Sequence, residues 1–174
     1  ASIYYSLDGS EPTVNSFLYG NPISVQGSTV IKAASFKDGW LRSPIKTRTF
    51  ILNDQNINFP AIFLSTDPDN FFDYNNGIYE MGPNASYDYP HFGANFWEDW
   101  EKPVFVEVLD TDNTYYSSPA GVKIFGGWSR GQAQKSLSLF ARGQYGNNEF
   151  NYKFFPDLEI EKFENGYNTI LGER

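Results

Sequence analysis

Strict two-residue alternation interrupted by turn words is the feature that most narrows the folds open to this chain. VIKAASF (30–36), KTRTF (46–50) and VFVEVL (104–109) each place chemically distinct side chains on opposite sides of an extended backbone. Around them stand DGSEPT, KDG, TDN and GQYGNN, segments rich in the residues that favour turns. A helical period is absent from these stretches. Aromatic residues make up 18% of the 174-residue chain, and they too favour pleated, half-buried surfaces. The expected class is therefore mainly β, and with no cysteine the fold must be held by packing, without disulfides or thiolate metal sites.

Charge divides the chain. Residues 1–52 carry five Lys/Arg against three Asp/Glu, a net of +2, and residues 53–174 carry eight against eighteen, a net of −10, which together give −8. That break predicts a first unit over 1–52, a polar linker NDQNINF at 53–59 and a second unit over 60–174. So acidic a second unit is unsuited to nucleic acid or anionic membrane, since affinity for a phosphate backbone requires clustered cations. No apolar run is long enough to span a bilayer.

In the first unit, strands are expected at IYYSL, PISVQ, STVIKAASF and SPIKTRTFIL, with tight hairpin turns at Asp8-Gly9 and Asp38-Gly39. Trp40 and Tyr19 could offer ring faces to a sugar, but the expectation is core or turn packing. Asp8 and Glu11 read as turn residues before they read as a catalytic carboxylate pair. The words IYYSLDGSEPT, LYGNPISV and STVIKAASFKDGWLRSPIKTRTF resemble the Ig-like module at the C-terminal end of chitobiases and β-hexosaminidases. The resemblance implies a β-sandwich accessory module, incomplete at its N-terminus, on a secreted or surface bacterial protein. With a single tryptophan beside a turn, this module is expected to bind chitin oligosaccharides weakly or not at all.

In the second unit, IFLSTD reads as a strand and DPDNFF as a turn or single helical turn opened by Pro68, with NNGIYEMG leading into another strand. Residues 84–99 have no period and form an ordered loop at best; WEKPVFVEVLD, TYYSSPAGVKIFGG and KSLSLFAR form a meander, and NEFNYKFFPD a strand or edge. Asp67, Asp69 and Asp73 have the spacing of calcium ligands, yet lack the glycine and glutamate of an EF-hand loop, so an Asx-turn or a helix cap is expected there. Asp88, Glu98, Asp99 and Glu101 read as a solvated acidic face, and the single histidine, His91, as a loop residue.

GGWSRGQAQKSLSLFAR, residues 126–142, admits two readings. Gly126, Gly127 and Gly131 would let backbone amides approach a phosphate while Lys135, Arg130 and Arg142 supply charged donors. Equally, it is a glycine hairpin whose cations pair with the chain's many carboxylates. It is not a Walker A loop, because no GKS or GKT closes it. Alternation places Lys135 and Arg142 on opposite faces, which leaves Lys135 as the nucleotide-facing candidate, helped by Arg130, Gly126 and Gly127.

The runs LSTDPDNFFDYNNGIYEMG, FWEDWEKPVFVEVLD and AGVKIFGGWSRGQAQKSLSLFARGQYGNNEFNYKFFPD resemble the CotH family of spore-coat and cell-surface proteins, from about residue 60 to 171. That resemblance implies the β-rich N-terminal part of an α+β kinase-like domain. It further implies that the longer protein is an atypical Ser/Thr kinase using ATP and Mg2+ on extracellular or coat proteins, with polysaccharide as another partner. Catalytic carboxylates are expected beyond residue 174, so no catalytic residue, metal ligand or cofactor is assigned within this chain, and the segment alone is expected to be inactive. The rival reading is a non-catalytic surface adhesion or scaffold protein.

Overall fold

Residues 1–52, 60–112 and 114–154, with the backbone of 169–171, are described by the structure, a computed structural model. It is mainly β, with two antiparallel sheets. The strands are β1 (Ser2–Ser6), β2 (Phe17–Leu18), β3 (Thr29–Phe36), β4 (Lys46–Phe50), β5 (Ala61–Ser65), β6 (Lys102–Leu109), β7 (Tyr115–Phe125), β8 (Ser136–Phe140) and β9 (Thr169–Leu171), and a short helix α1 spans Pro68–Phe72. Contacts divide the chain into two compact units, Ala1–Pro68 with Phe105–Ser117 and Asp69–Val104 with Ser118–Arg174. The expected linker at 53–59 lies outside the described residues. Among the described residues no helix is long and apolar enough to cross a membrane.

The first sheet runs β2-β1-β3-β4, with Tyr4 opposite Ala34 and Lys32 opposite Thr47. The expected strand at 22–26 is absent. The edge of β1 is taken instead by residues 17–19, where Tyr4 faces Leu18 and the Tyr19 amide donates to the Ile3 carbonyl at 2.8 Å. The turn glycines do have positive φ, 88° at Gly9 and 75° at Gly39, but both sit in connections longer than a two-residue hairpin.

Gly9 earns its place by position. Its carbonyl accepts from the Lys32 ammonium at 2.5 Å, and a Cβ there would lie 2.6 Å from the Thr66 carbonyl oxygen. Lys32 is consequently buried within β3, where alternation alone suggests a solvated cation. Burial pushes its pKa down, opposed by the charges of Glu11, Asp67 and Asp8. Gly9→Ala meets a backbone clash and a left-handed φ together, so it should destabilise the chain by about 2 kcal/mol or more. A urea titration in which the alanine chain unfolds with the parent would refute this.

β4 inverts a simple hydrophobic reading. Its two threonines are half-buried while Lys46, Arg48 and Phe50 face outward. For Thr49 the cause lies within the same contact-defined unit, Ala1–Pro68 with Phe105–Ser117, in the fully buried Glu107 of β6. The Thr49 amide donates to Glu107 Oε1 at 3.0 Å, the Thr49 hydroxyl donates to Oε2, and the Tyr115 hydroxyl donates to Oε1 at 2.6 Å. The Arg48 guanidinium lies 3.7 Å from the Tyr115 ring centroid, over its face.

The second sheet has the order β5-β6-β7-β8-β9, with Ala61 opposite Leu109, Gly121 opposite Phe140 and Leu137 opposite Leu171. No strand follows 75–77, contrary to the expectation from NNGIYEMG. The amides of Ile78 and Tyr79 instead donate to the carbonyls of Asn70 and Phe71, wrapping this stretch around α1 and burying Ile78. Residues 149–154 form no strand either, and the rest of that expected edge lies outside the described residues. The aperiodic loop at 84–99 is ordered around buried Asn95, whose side-chain amide donates to the carbonyls of Tyr74 at 3.0 Å and Gly77 at 3.1 Å. A side chain at Gly82, where φ is 69°, would run into Asn95.

Candidate functional site

The segment that joins β7 to β8 begins with two glycines of different necessity. Gly126 has φ of 119°, and a Cβ on it would meet the Ser129 hydroxyl. Gly127, with nothing within 4 Å of a hypothetical Cβ, opens a 3-10 turn over Trp128–Gly131. A third glycine, Gly131, passes tightly over the Tyr89-Pro90 step, its hypothetical Cβ 3.0 Å from both the Tyr89 ring and the Pro90 side chain. Here glycine permits close approach of protein to protein.

Arg130 and Lys135 are brought together, and both are engaged by backbone carbonyls. Arg130 Nε donates to the Gly126 carbonyl at 2.7 Å, and its Nη1 donates to the carbonyls of Phe96 at 3.3 Å and Trp97 at 3.2 Å. Lys135 sits one residue before β8, buried, with its ammonium donating at 2.7 Å to both the Arg130 and Gln132 carbonyls. Its Nζ also lies 3.9 Å from the centroid of the Phe96 ring. Desolvation pushes this ammonium below the ordinary lysine pKa. The four candidate residues thus form one network: two cations staple a glycine turn to the aromatic loop at 84–99.

Arg142 does not converge with them. It follows β8 and grips Glu101 with its Nε, 3.0 Å from Oε1 and 3.1 Å from Oε2. Gly121 makes room for that carboxylate, since a Cβ there would strike Glu101 and the Tyr145 ring. Nearby in sequence, Lys123 pairs with Asp99 at 2.5 Å, and that contact holds the Asp99 carboxyl below its usual range. Two members of the expected acidic face are therefore bound by the chain's own cations. Both pairs are partly exposed, so Lys123→Ala should change stability by less than about 1 kcal/mol, and less still in high salt.

Other sequence candidates resolve into turn chemistry. Asp73 accepts from the amides of Asn75 at 3.0 Å and Asn76 at 2.8 Å, an Asx-turn. Asp8 accepts from the Ser10 amide and hydroxyl, which lower its pKa, while Glu11 pairs with Arg42 at 3.0 Å. His91 is a loop residue with φ of 61°, its Nδ1 3.1 Å from the Ser86 carbonyl oxygen. Among the described residues no three carboxylate or imidazole groups gather into a site that could hold a metal ion. Trp40, expected in core or turn packing, is 71% exposed on the turn at 37–40, with the Lys37 ammonium 4.5 Å from its ring centroid.

What sequence reasoning missed is the cluster of exposed rings beside the glycine turn. Trp128 is 63% exposed, Phe92 54% and Tyr89 53%. Trp128 lies 6.1 Å from Tyr89 and 6.0 Å from Phe92 between ring centroids, and Phe92 lies 4.8 Å from Trp97. The only sequence signal was the density of aromatics in an aperiodic stretch, and Trp128 stands about thirty residues beyond it.

The family described as the chitobiase/beta-hexosaminidase C-terminal domain matches residues 1–47, which takes in β1, β2, β3 and the start of β4. No curated protein and no solved structure matches the chain.

Proposed function

We propose that this chain is the β-rich part of a secreted or surface-attached bacterial protein, in which an Ig-like accessory module leads into a CotH-like, kinase-related domain. The longer protein transfers a phosphoryl group from ATP to Ser/Thr of extracellular or coat proteins. The observation that supports this reading is a glycine turn followed directly by a buried lysine at the entry to a strand of a five-stranded antiparallel sheet. A glycine-rich loop and a strand lysine are the two parts with which kinase-like proteins cover and pair the phosphates of a nucleotide.

The residues fit a nucleotide in part. Arg130 spends its Nε and Nη1 on backbone carbonyls, and a Cβ added at Gly127 would have nothing within 4 Å. Lys135 places two of its three N–H donors on carbonyls of the turn and its ammonium against the Phe96 ring, so it acts here first as a positioning residue. Magnesium, when bound, supplies charge neutralisation at the transferring phosphoryl group. The described residues offer it no cage, and no step is assigned to it within this chain.

ATP titration of the longer protein is the test. Lys135→Met should weaken binding about ten- to a hundredfold, the equivalent of one charge-assisted contact of about 1.5 to 3 kcal/mol. Arg142→Ala, whose side chain belongs to Glu101, should leave ATP affinity unchanged. Undiminished affinity in a folded Lys135→Met protein would remove the nucleotide reading. A second reading, a non-catalytic scaffold that holds surface polysaccharide, is favoured by the exposed rings at Tyr89, Phe92 and Trp128.

A further inference from the structure

We infer that Tyr89, Phe92 and Trp128 form a stacking shelf for a neutral oligosaccharide, in the Asp69–Val104 with Ser118–Arg174 unit and outside the residues matched by the accessory-domain family. The inference deepens the scaffold reading and does not depend on phosphoryl transfer. Three rings from two separated segments are each more than half exposed, although they sit in a well-tied part of the chain. The Tyr89 hydroxyl donates to the Trp128 carbonyl at 3.1 Å, the Trp97 indole N–H to the Pro90 carbonyl at 2.9 Å, and the Ser86 amide to the Phe92 carbonyl at 2.8 Å. Arg130 and Lys135 fasten the Trp128 turn from beneath through five carbonyl contacts. A shelf fixed in this way spends little entropy when it meets a ligand.

Ring chemistry selects the occupant. Aromatic faces are electron-rich and apolar, and the axial C–H face of a pyranose is their natural complement, while ring hydroxyls need polar partners at the rim. Those partners are here in the Tyr89 hydroxyl, His91 and Gln132, the last exposed at the end of the Trp128 turn. Trp128 is tilted 46° to Tyr89 and meets Phe92 edge to face at 77°, so the three ring faces point in different directions and can each take a separate sugar face. A polyanion is disfavoured by the net charge of −8. The same chain carries, at residues 1–47, a match to the family described as the chitobiase/beta-hexosaminidase C-terminal domain.

Titration of the 174-residue chain with chitohexaose and with cellohexaose, followed by tryptophan fluorescence and calorimetry, tests the inference. Binding of at least one oligomer is expected, weakened about tenfold or more by Trp128→Ala and largely restored by Trp128→Tyr, which keeps a ring face. Trp40→Ala, in the first unit, should bind like the parent. Phe92→Ala offers a second variant should Trp128→Ala fold poorly. Preference for one oligomer over the other assigns the sugar class. The inference is overturned if neither oligomer binds, or if Trp40→Ala abolishes binding while Trp128→Ala and Phe92→Ala leave it intact.

Discussion

Glu107→Ala should cost this chain about 3 kcal/mol or more, the largest single-residue loss expected in the Ala1–Pro68 with Phe105–Ser117 unit. Glu107 is 0% exposed, and its carboxylate takes the Thr49 amide, the Thr49 hydroxyl and the Tyr115 hydroxyl as donors. Truncation leaves those part-buried donors without their acceptor and opens a cavity where the fully buried side chain stood, and the two penalties act in the same direction. In urea, with a slope of about 2 kcal/mol per molar, the midpoint should fall by about 1.5 M. Glu107→Gln keeps one carbonyl acceptor and the volume of the side chain, so its loss should be about half as large. A double-mutant cycle with Thr49→Val should show coupling above about 1 kcal/mol, since the two side chains share one network. Additive losses, or an alanine chain within 1 kcal/mol of the parent, would contradict the clasp between β4 and β6.

Lys135→Ala should be the costliest change around the glycine turn, at about 2 to 4 kcal/mol. It removes two charged hydrogen bonds to carbonyls and the ammonium from the Phe96 face, and leaves the Arg130 and Gln132 carbonyls without this partner. Lys135→Met retains the aliphatic stem and should recover part of the loss. The pH dependence carries a definite sign. Burial lowers the folded-state pKa of Lys135 below the ordinary 10.5, so between those two values the unfolded chain holds more protons. This residue's contribution to stability should therefore rise as pH increases toward 10.5, and the gap between the parent and Lys135→Met should widen. A gap that narrows over that window would show that the folded state favours the charged lysine. Unlike loss of nucleotide affinity, both measurements need only the chain itself, so they separate the structural task of Lys135 from any role with ATP.

The β class, the two alternating strands of the first unit, the meander from residue 102 to residue 140 and the Asx-turn at Asp73 were all legible in the order of residues. Each rests on local physics: alternation sets faces, and short polar side chains bond nearby backbone amides. The network of Gly126, Gly127, Arg130 and Lys135 was legible as a concentration of cations and glycines in one short segment, but the partners of those cations were not. Whether Arg130 meets a phosphate or the carbonyls of Phe96 and Trp97 depends on a loop more than thirty residues away, which no local pattern specifies. The same limit governs Thr49, whose half-burial follows from a carboxylate fifty-eight positions along the chain. It governs the aromatic shelf as well, where Trp128 joins Tyr89 and Phe92 only after the turn is stapled down. Sequence determined which segments extend and which turn, because those choices are made within a few residues. Tertiary structure alone decided which polar groups are buried together, because desolvation and hydrogen-bond satisfaction are settled between distant segments when they pack.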